Sequence, residues 1–258
     1  MKPILTYYNI APGVTAFSTT RHGGVSKGEY GEMNINPYCG DDSKAVKTNR
    51  DMLAAELGLT PSDILLPHQI HSKKNVAVND YILNSPKELR SMLLEGVDSL
   101  TTNKRGVCIG VSTADCIPVL LFDPRHHAAA AIHAGWRGTV QRIVRKTVAT
   151  MAELYHTSPE DLHAVIGPGI SLKNFEVGDE VYQKFKDAGF DMEAIAKRFE
   201  KWHINLPLCN QLQLEKSGVQ RENIQQSGIC TFDSVADYFS ARRLGADSGR
   251  IFTGIMML

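Results

Sequence analysis

The chain has 258 residues and a mass of 28.5 kDa, enough for one large domain or two small ones, and a fold of this size buries roughly 75% of the surface its unfolded chain exposes. Lys+Arg at 28 against Asp+Glu at 28 leave a formal net charge of +0, so no overall field draws the chain to a nucleic-acid backbone or an anionic membrane, and an anionic ligand has to be held by local arginines. Five cysteines, an odd number spread from Cys39 to Cys230, read as reduced thiols in a cytoplasmic setting; four of them suit buried small hydrophobes, and only Cys116 has chemically interesting neighbours.

The opening MKPILTYYNIAPGV meets Asn9 and Pro12 before an apolar stretch of signal length develops, so no secretion leader is expected. The first predicted helix starts with Asp42 or Ser43 as N-cap and runs to Leu57, with Val46, Arg50 and Leu53 along one side and Gly58 as its stop. Arg50, beside Asn49, is expected to project from it. Short apolar runs bounded by turns predict strands over 107–111, 117–122 and 128–132, the second ending at Asp123-Pro124. The most apolar of these falls far short of the roughly 20 residues that cross a bilayer, so no membrane association is expected.

A helix follows, with Thr139 as N-cap and Val140, Ile143, Val144, Val148 and Met151 at helical spacing. That places His133-Ala-Gly-Trp-Arg-Gly138 at a strand-to-helix turn. Residues 164–166 read as a strand closed by Gly167-Pro168-Gly169, 177–185 as the start of a helix, 206–216 as a helix and 251–258 as a terminal core strand. No repeat, low-complexity segment or long linker divides the chain, so one domain over 1–258 is the simplest organisation. Strands and helices mix throughout, which predicts an α+β class with mixed sheets covered by helices.

Three segments set a soft or borderline metal ligand beside a turn or strand end: His68-Gln-Ile-His71, Ala114-Asp-Cys-Ile-Pro118 and Ile132-His-Ala-Gly-Trp-Arg-Gly138. Cys116 and His133 lie 133 − 116 = 17 residues apart, room for a strand, a turn over 123–127 and a strand returning beside it. Antiparallel pairing brings the two side chains together. One thiolate and two imidazoles leave the fourth position of zinc open, which is the arrangement of catalytic rather than structural zinc. Spacing leaves two other readings open: a buried Cys116 with hydrogen-bonded histidines, and a metal-free nucleophile Cys116 with His133 as base and Asp115 or Gln69 as orienting group.

HQIH, GVDSLTTN at 96–103, TADCIPVLLFDP at 113–124, AIHAGWRGT at 131–139, IGPGIS at 166–171 and YFSARR at 238–243 together resemble the YlmD/YfiH family, also catalogued as polyphenol-oxidase or laccase-domain proteins. The likeness runs from Thr19-Thr-Arg-His-Gly-Gly24 to Gly249-Arg250. It implies a single-domain α/β/β/α sandwich of YfiH-like type, with zinc held by the matching His71, Cys116 and His133. It also implies purine nucleoside phosphorylase activity, with adenosine deaminase and S-methyl-5′-thioadenosine phosphorylase activities in the same pocket. Copper is not expected as the native metal. A multicopper oxidase needs His-x-His pairs and a blue-copper Cys flanked by histidines, and the nine histidines here form no such pair and none lies within two residues of a Cys.

Phosphorolysis has to hold an anionic phosphate against the ribose, for which the planar fork of arginine is suited. Arg50, Arg137, Arg242 and Arg243 are the candidates. Asn34, Gln69, Asp98 and Asp115 are further candidates for binding substrate, Asn34 and Asp98 at the sugar or base, and Trp136 is a candidate for stacking on a base. Family members often carry Tyr where this chain has Ala241. The HxE…PCxxC signature of dedicated deaminases is absent, so proton transfer falls to a residue such as Asp115 or His68. The expected partners are purine nucleosides and phosphate, with no nucleic acid and no obligate protein partner.

Overall fold

The computed structural model describes residues 2–258, and two sheets lie face to face at its centre. One has five strands in the order Leu5–Tyr8, Val14–Thr19, Ile251–Met257, Cys108–Thr113, Ile64–Leu65. The other has six, in the order Ile224–Gln226, His163–Ile166, Ile117–Asp123, Ala128–Ala134, Ser99–Thr102, Asn75–Ala77. Each mixes parallel and antiparallel pairs. A smaller three-stranded sheet, Glu176–Val177, Trp202–Ile204 and Ala196–Arg198, stands apart from both.

Alternation along the strands assigns the layers, because successive side chains of a strand point to opposite faces. Ile117, Val119 and Leu121 pack with residues of the helices Ile143–Tyr155 and Leu206–Lys216, whereas Leu120 and Phe122 join Ala129, Ala131 and Val165 against Ile109, Val111 and Ile255 of the five-stranded sheet. On the far face of that sheet Phe17, Phe252 and Met256 lie under Leu53 and Leu57 of the helix Ser43–Leu57. The order is therefore helix, sheet, sheet, helix. His133 shares the parity of Ala129 and Ala131, so the zigzag turns it toward the opposing sheet, and Cys116 lies just before the paired strand Ile117–Asp123.

Several elements follow their predicted bounds. The helix Ser43–Leu57 begins where the Asp42 carboxylate accepts from the Ala45 amide and ends at Gly58 with φ 68, a left-handed stop that glycine adopts without a Cβ penalty. The predicted helix over 206–216 is present as Leu206–Lys216, and the terminal run becomes the middle strand of the five-stranded sheet.

Two elements differ. The helix expected from Thr139 onward is two helices, Trp136–Val140 capped at Gly135 and Ile143–Tyr155 after a left-handed Arg142 with φ 63. Arg142 leaves the helical path to donate to the Ala188 carbonyl at 2.7 Å and to lie 3.5 Å from the centre of the Phe190 ring. The apolar spacing survives the break because Val140, Ile143 and Val144 stay in one cluster. Val177 does not open a helix; it pairs with Trp202 in the small sheet, and the helix Asp179–Asp187 starts after Gly178. Among the described residues no helix is long and apolar enough to cross a membrane.

The hairpin joining the strands that carry Cys116 and His133 is fastened by Asp123. Its fully buried carboxylate accepts from the amides of Arg125 (2.8 Å) and His126 (3.1 Å) and from the His126 ring (2.9 Å). Burial alone raises the pKa of this group, but Thr157, His126 and the Arg125 amide outweigh it and hold the carboxyl below its ordinary value. A depressed folded-state pKa contributes stability above the unfolded value, about 3.9, and that stability is lost as pH falls through the folded value. Asp123→Asn is therefore expected to lower unfolding free energy by about 1–3 kcal/mol at pH 7. Urea titrations of both proteins check this, and the gap between them should narrow below pH ~4.

Candidate metal centre and its cavity

His71, Cys116 and His133 reach one point from three segments, and their donor atoms lie within 4.8 Å of one another. His133 comes from the end of the strand Ala128–Ala134, where its neighbour Pro118 pairs with it across the hairpin two residues past Cys116. Cys116 sits in the turn that ends the strand Cys108–Thr113. His71 sits in the loop after Ile64–Leu65. The accessibility is graded: His133 is buried, Cys116 half-buried and His71 exposed.

Asp98, fully buried, organises two of the three. Its Oδ1 lies 2.7 Å from His133 Nδ1 and accepts from the His71 amide at 3.0 Å; its Oδ2 accepts from the Ser72 amide at 2.7 Å and the Ile70 amide at 3.3 Å. With Nδ1 engaged, the free nitrogen of His133 is Nε2, and a carboxylate behind a metal-binding imidazole fixes both tautomer and ring orientation. The same carboxylate holds the loop in which His71 adopts φ 63, a left-handed backbone that costs a residue other than glycine of order 1–3 kcal/mol.

The electrostatics follow from this packing. Burial pushes the Asp98 carboxyl up, yet His133 and the Ser72 contacts hold it at about 2. Burial likewise opposes ionisation of Cys116, but His133 and His71 bring its thiol down to about 6. His133 is disfavoured as a cation by burial and favoured by Cys116 and Asp98, which carry it to about 9.

The donor set fits a metal ion. A thiolate with two imidazoles is a borderline-soft set, Asp98 already backs the His133 ring, and Gly135 leaves the space open: a Cβ there would stand 2.9 Å from both Cys116 Sγ and His71 Cδ2. Among the described residues this is the one cluster of three such donors.

The donors form one wall of a cavity of about 290 Å³, at the lower end of small-molecule sites, which run roughly 300–1,000 Å³. Asn36, Tyr38, His68, Gln69, Thr113 and Arg250 are among its other walls. Tyr38 stacks on His68 with ring centres 4.3 Å apart, and His68 Nδ1 meets Glu95 at 2.7 Å. Gln69 pairs with the Ser112 backbone through both ends of its amide, at 2.8 and 2.7 Å, which ties the His68–His71 loop to the strand Cys108–Thr113. The Thr113 hydroxyl is buried with no hydrogen-bond partner among the described residues.

Of the residues predicted around the metal, Gln69 and His68 reach the cavity wall. Asp98 is not among the residues that line the cavity; its carboxylate is engaged by His133 and the loop. Asp115 is also a supporting residue. Its carboxylate accepts from Thr231 Oγ1, Ser240 Oγ and the Arg242 amide, each at 2.7 Å, and so staples the segment around Ser240 to the Cys116 turn. Asn34 stands one layer back, accepting from the amides of Asn36 and Arg250 (both 3.2 Å) that do line the cavity.

The four predicted arginines lie elsewhere. Arg50 donates to the carbonyls of Ile64 and Pro61 and borders a different cleft. Arg137 is exposed over the Trp136 ring at 4.3 Å, and that ring packs against the helix-side core rather than facing the cavity. Arg242 donates to the Glu176 carbonyl, and Arg243 lies over Phe232. Arg250 is the arginine at the cavity, fixed by the carbonyls of Ala246, Ser248 and Gly249. Its sequence signal was its place just ahead of an apolar terminal strand, which does not say where the side chain goes.

Residues 15–258 match the family described as "Multi-copper polyphenol oxidoreductase laccase". The chain is 43% identical to a "Purine nucleoside phosphorylase" of Bacteroides thetaiotaomicron, over 99% of this chain and 97% of that one. It is 40% identical to "Adenosine deaminase RL5" from an unknown prokaryotic organism, over 97% of each. The crystal structure of YlmD from Geobacillus stearothermophilus superposes with a TM-score of 0.89 at 30% identity, covering 96% of this chain and 94% of that one.

Asp98→Asn keeps the side chain's shape but removes the charge that fixes the His133 tautomer. Metal affinity is expected to fall roughly 10–100-fold, the usual cost of losing such a partner, with the fold retained. Competition against a chelator, beside circular dichroism, checks this. An unchanged affinity would show that Asp98 merely fills space.

Proposed function

The chain belongs to the multi-copper polyphenol oxidoreductase laccase family, the YlmD/YfiH family of the sequence motifs, and from that premise we propose that it is a zinc-dependent purine nucleoside phosphorylase. The carrying observation is that the three donors, two of them set by one buried carboxylate, open onto a cavity that also holds an arginine, a free hydroxyl and an aromatic stack. Relatives named for purine nucleoside phosphorolysis support the substrate class. The same cavity is proposed to deaminate adenosine, as the relative named for that activity suggests, and to cleave S-methyl-5′-thioadenosine.

His71, Cys116 and His133 would hold the ion. When bound, zinc supplies Lewis acidity and lowers the pKa of a coordinated water toward neutrality. The remaining work belongs to the protein. In phosphorolysis a phosphate oxygen bonds to the ribose C1′, the bond from C1′ to the purine nitrogen breaks with its electron pair going to the base, and the base takes up a proton. Arg250, anchored by three backbone carbonyls, is placed to hold phosphate with little entropy left to lose. The Thr113 hydroxyl, without a partner of its own, offers a hydrogen bond to a sugar hydroxyl. His68, oriented through Nδ1 by Glu95, presents its other nitrogen for proton transfer, and Tyr38 stacked on it extends an aromatic surface toward the base.

A metal-free reading is favoured by one observation: the donor atoms of Cys116 and His133 lie within 4.8 Å of one another with Asp98 behind the imidazole, which is also the arrangement of a cysteine nucleophile, its base and an orienting carboxylate. Metal content separates the two readings. The proposed function predicts about one zinc per chain, phosphate-dependent release of hypoxanthine from inosine, and loss of both metal and turnover in Cys116→Ala. Chelation that leaves turnover intact would favour the cysteine hydrolase.

Arg250→Met is expected to raise the KM for phosphate roughly tenfold or more, the equivalent of one charge-assisted hydrogen bond, while zinc content and water-dependent deamination stay near normal. Arg137→Ala should leave both constants unchanged. Steady-state kinetics with varied phosphate decide the assignment, and the reverse pattern would return phosphate binding to the turn at Arg137.

A further inference from the structure

A second cleft, of about 610 Å³, lies beside the metal cavity and is larger than it. Tyr38 lines both. Its floor is apolar, with the buried Val46, Ile64, Leu65, Leu66 and Leu94. Its charged groups are Lys47, Arg50, Lys87 and Arg90 against a single acid, Asp51, which Lys47 already engages at 2.7 Å. Arg50, Arg90 and Lys87 are left without a carboxylate partner among the described residues.

Neither arginine is fully exposed. Arg50 is half-buried, and only its Nη2 is occupied, by the carbonyls of Pro61 and Ile64. Arg90 is half-buried as well; its Nη1 and Nη2 reach the carbonyls of Ser62, Leu83 and Ser85, while its Nε is buried with no hydrogen-bond partner. Carbonyls hold the two forks in place but do not neutralise them, and a desolvated cation with unfilled donors is unfavourable until an anion arrives. Burial accordingly lowers the Arg50 pKa.

We propose that this cleft is a binding site for a small organic anion with an apolar or aromatic body, its carboxylate or phosphate held between Arg50 and Arg90 and its body laid on the leucine floor beside Tyr38. The preset guanidinium forks suit bidentate capture of either anion. A volume well inside the range of small-molecule sites suits a ligand larger than the bare ion. Because Tyr38 separates the two cavities and stacks on His68, a ligand here also fixes one wall of the metal site. The assignment does not depend on the activity proposed above, since it uses none of the metal ligands.

Isothermal titration calorimetry of the zinc-loaded full chain with phenyl phosphate, benzoate and the neutral benzyl alcohol tests the proposal. At least one of the two anions should bind at about one per chain, at least tenfold more tightly than the alcohol, and the tighter of the two identifies the anion class. Binding should persist in Cys116→Ser, which disables the metal site, and weaken at least tenfold in Arg50→Met/Arg90→Met. Should that double variant fold poorly, Lys87→Glu reverses an exposed charge at the rim and should weaken binding severalfold. Binding of neither anion, equal binding of the alcohol, loss of binding in Cys116→Ser, or tight binding that survives Lys87→Glu would each overturn it.

Discussion

Everything at the metal centre hangs on one buried carboxylate. Asp98 is removed from water, which for an isolated charge costs several kcal/mol, and the cost is offset by three backbone amides and the His133 ring. Those four partners come from two segments far apart in the chain, so a single group sets both the aim of a strand-borne histidine and the path of a loop-borne one. The left-handed His71 persists because the amides on either side of it are committed to that carboxylate. Loss of Asp98 would leave both histidines free to drift and the buried Nδ1 of His133 without its partner.

The strand hairpin supplies the rest of the geometry. Period-two alternation places His133 on the face between the sheets, and the Asp123 turn holds the register in which Pro118 stands opposite His133, two residues past Cys116. A slip of one residue along its strand would carry the His133 side chain to the helix-covered face. Gly135 then lets the chain pass close to the thiolate and the His71 ring where any side chain would collide. Asp115, also left-handed at φ 86, does for the far side of the cavity what Asp98 does for the near side, binding the segment that carries Ser240 to the turn that carries Cys116.

Local patterns in the sequence carried much of this. The cap and stop of Ser43–Leu57, the apolar runs on either side of Asp123 and the 17-residue interval between Cys116 and His133 are short-range signals, and the structure keeps them. What stayed hidden depends on long-range placement. Arg142 breaks a helix whose apolar spacing continues across the break, because a distant carbonyl and the Phe190 ring reward the departure. Arg137 and Arg250 look alike in sequence, yet one lies on the Trp136 ring outside the cavity and the other reaches the cavity because its amide is held by Asn34, 216 residues earlier. The enclosure of Asp98 stayed hidden for the same reason, since nothing local distinguishes an exposed aspartate from one that is fully buried.

The family's description speaks of several coppers and of oxidation, whereas the relatives at 43% and 40% identity are named for reactions of nucleosides. The donor set bears on that contrast. Multicopper sites assemble many imidazoles around a flanked cysteine, so that electrons pass between metals. Here the clustered donors number three and hold one ion's worth of coordination, and the cavity in front of them is furnished with groups that bind rather than relay: an arginine, an amide, a hydroxyl and an aromatic pair. A site of that composition gains rate by positioning and polarising a substrate in a confined space, which is the requirement of group transfer to or from a nucleoside. The physical distinction between the two descriptions thus lies less in the metal than in what surrounds it.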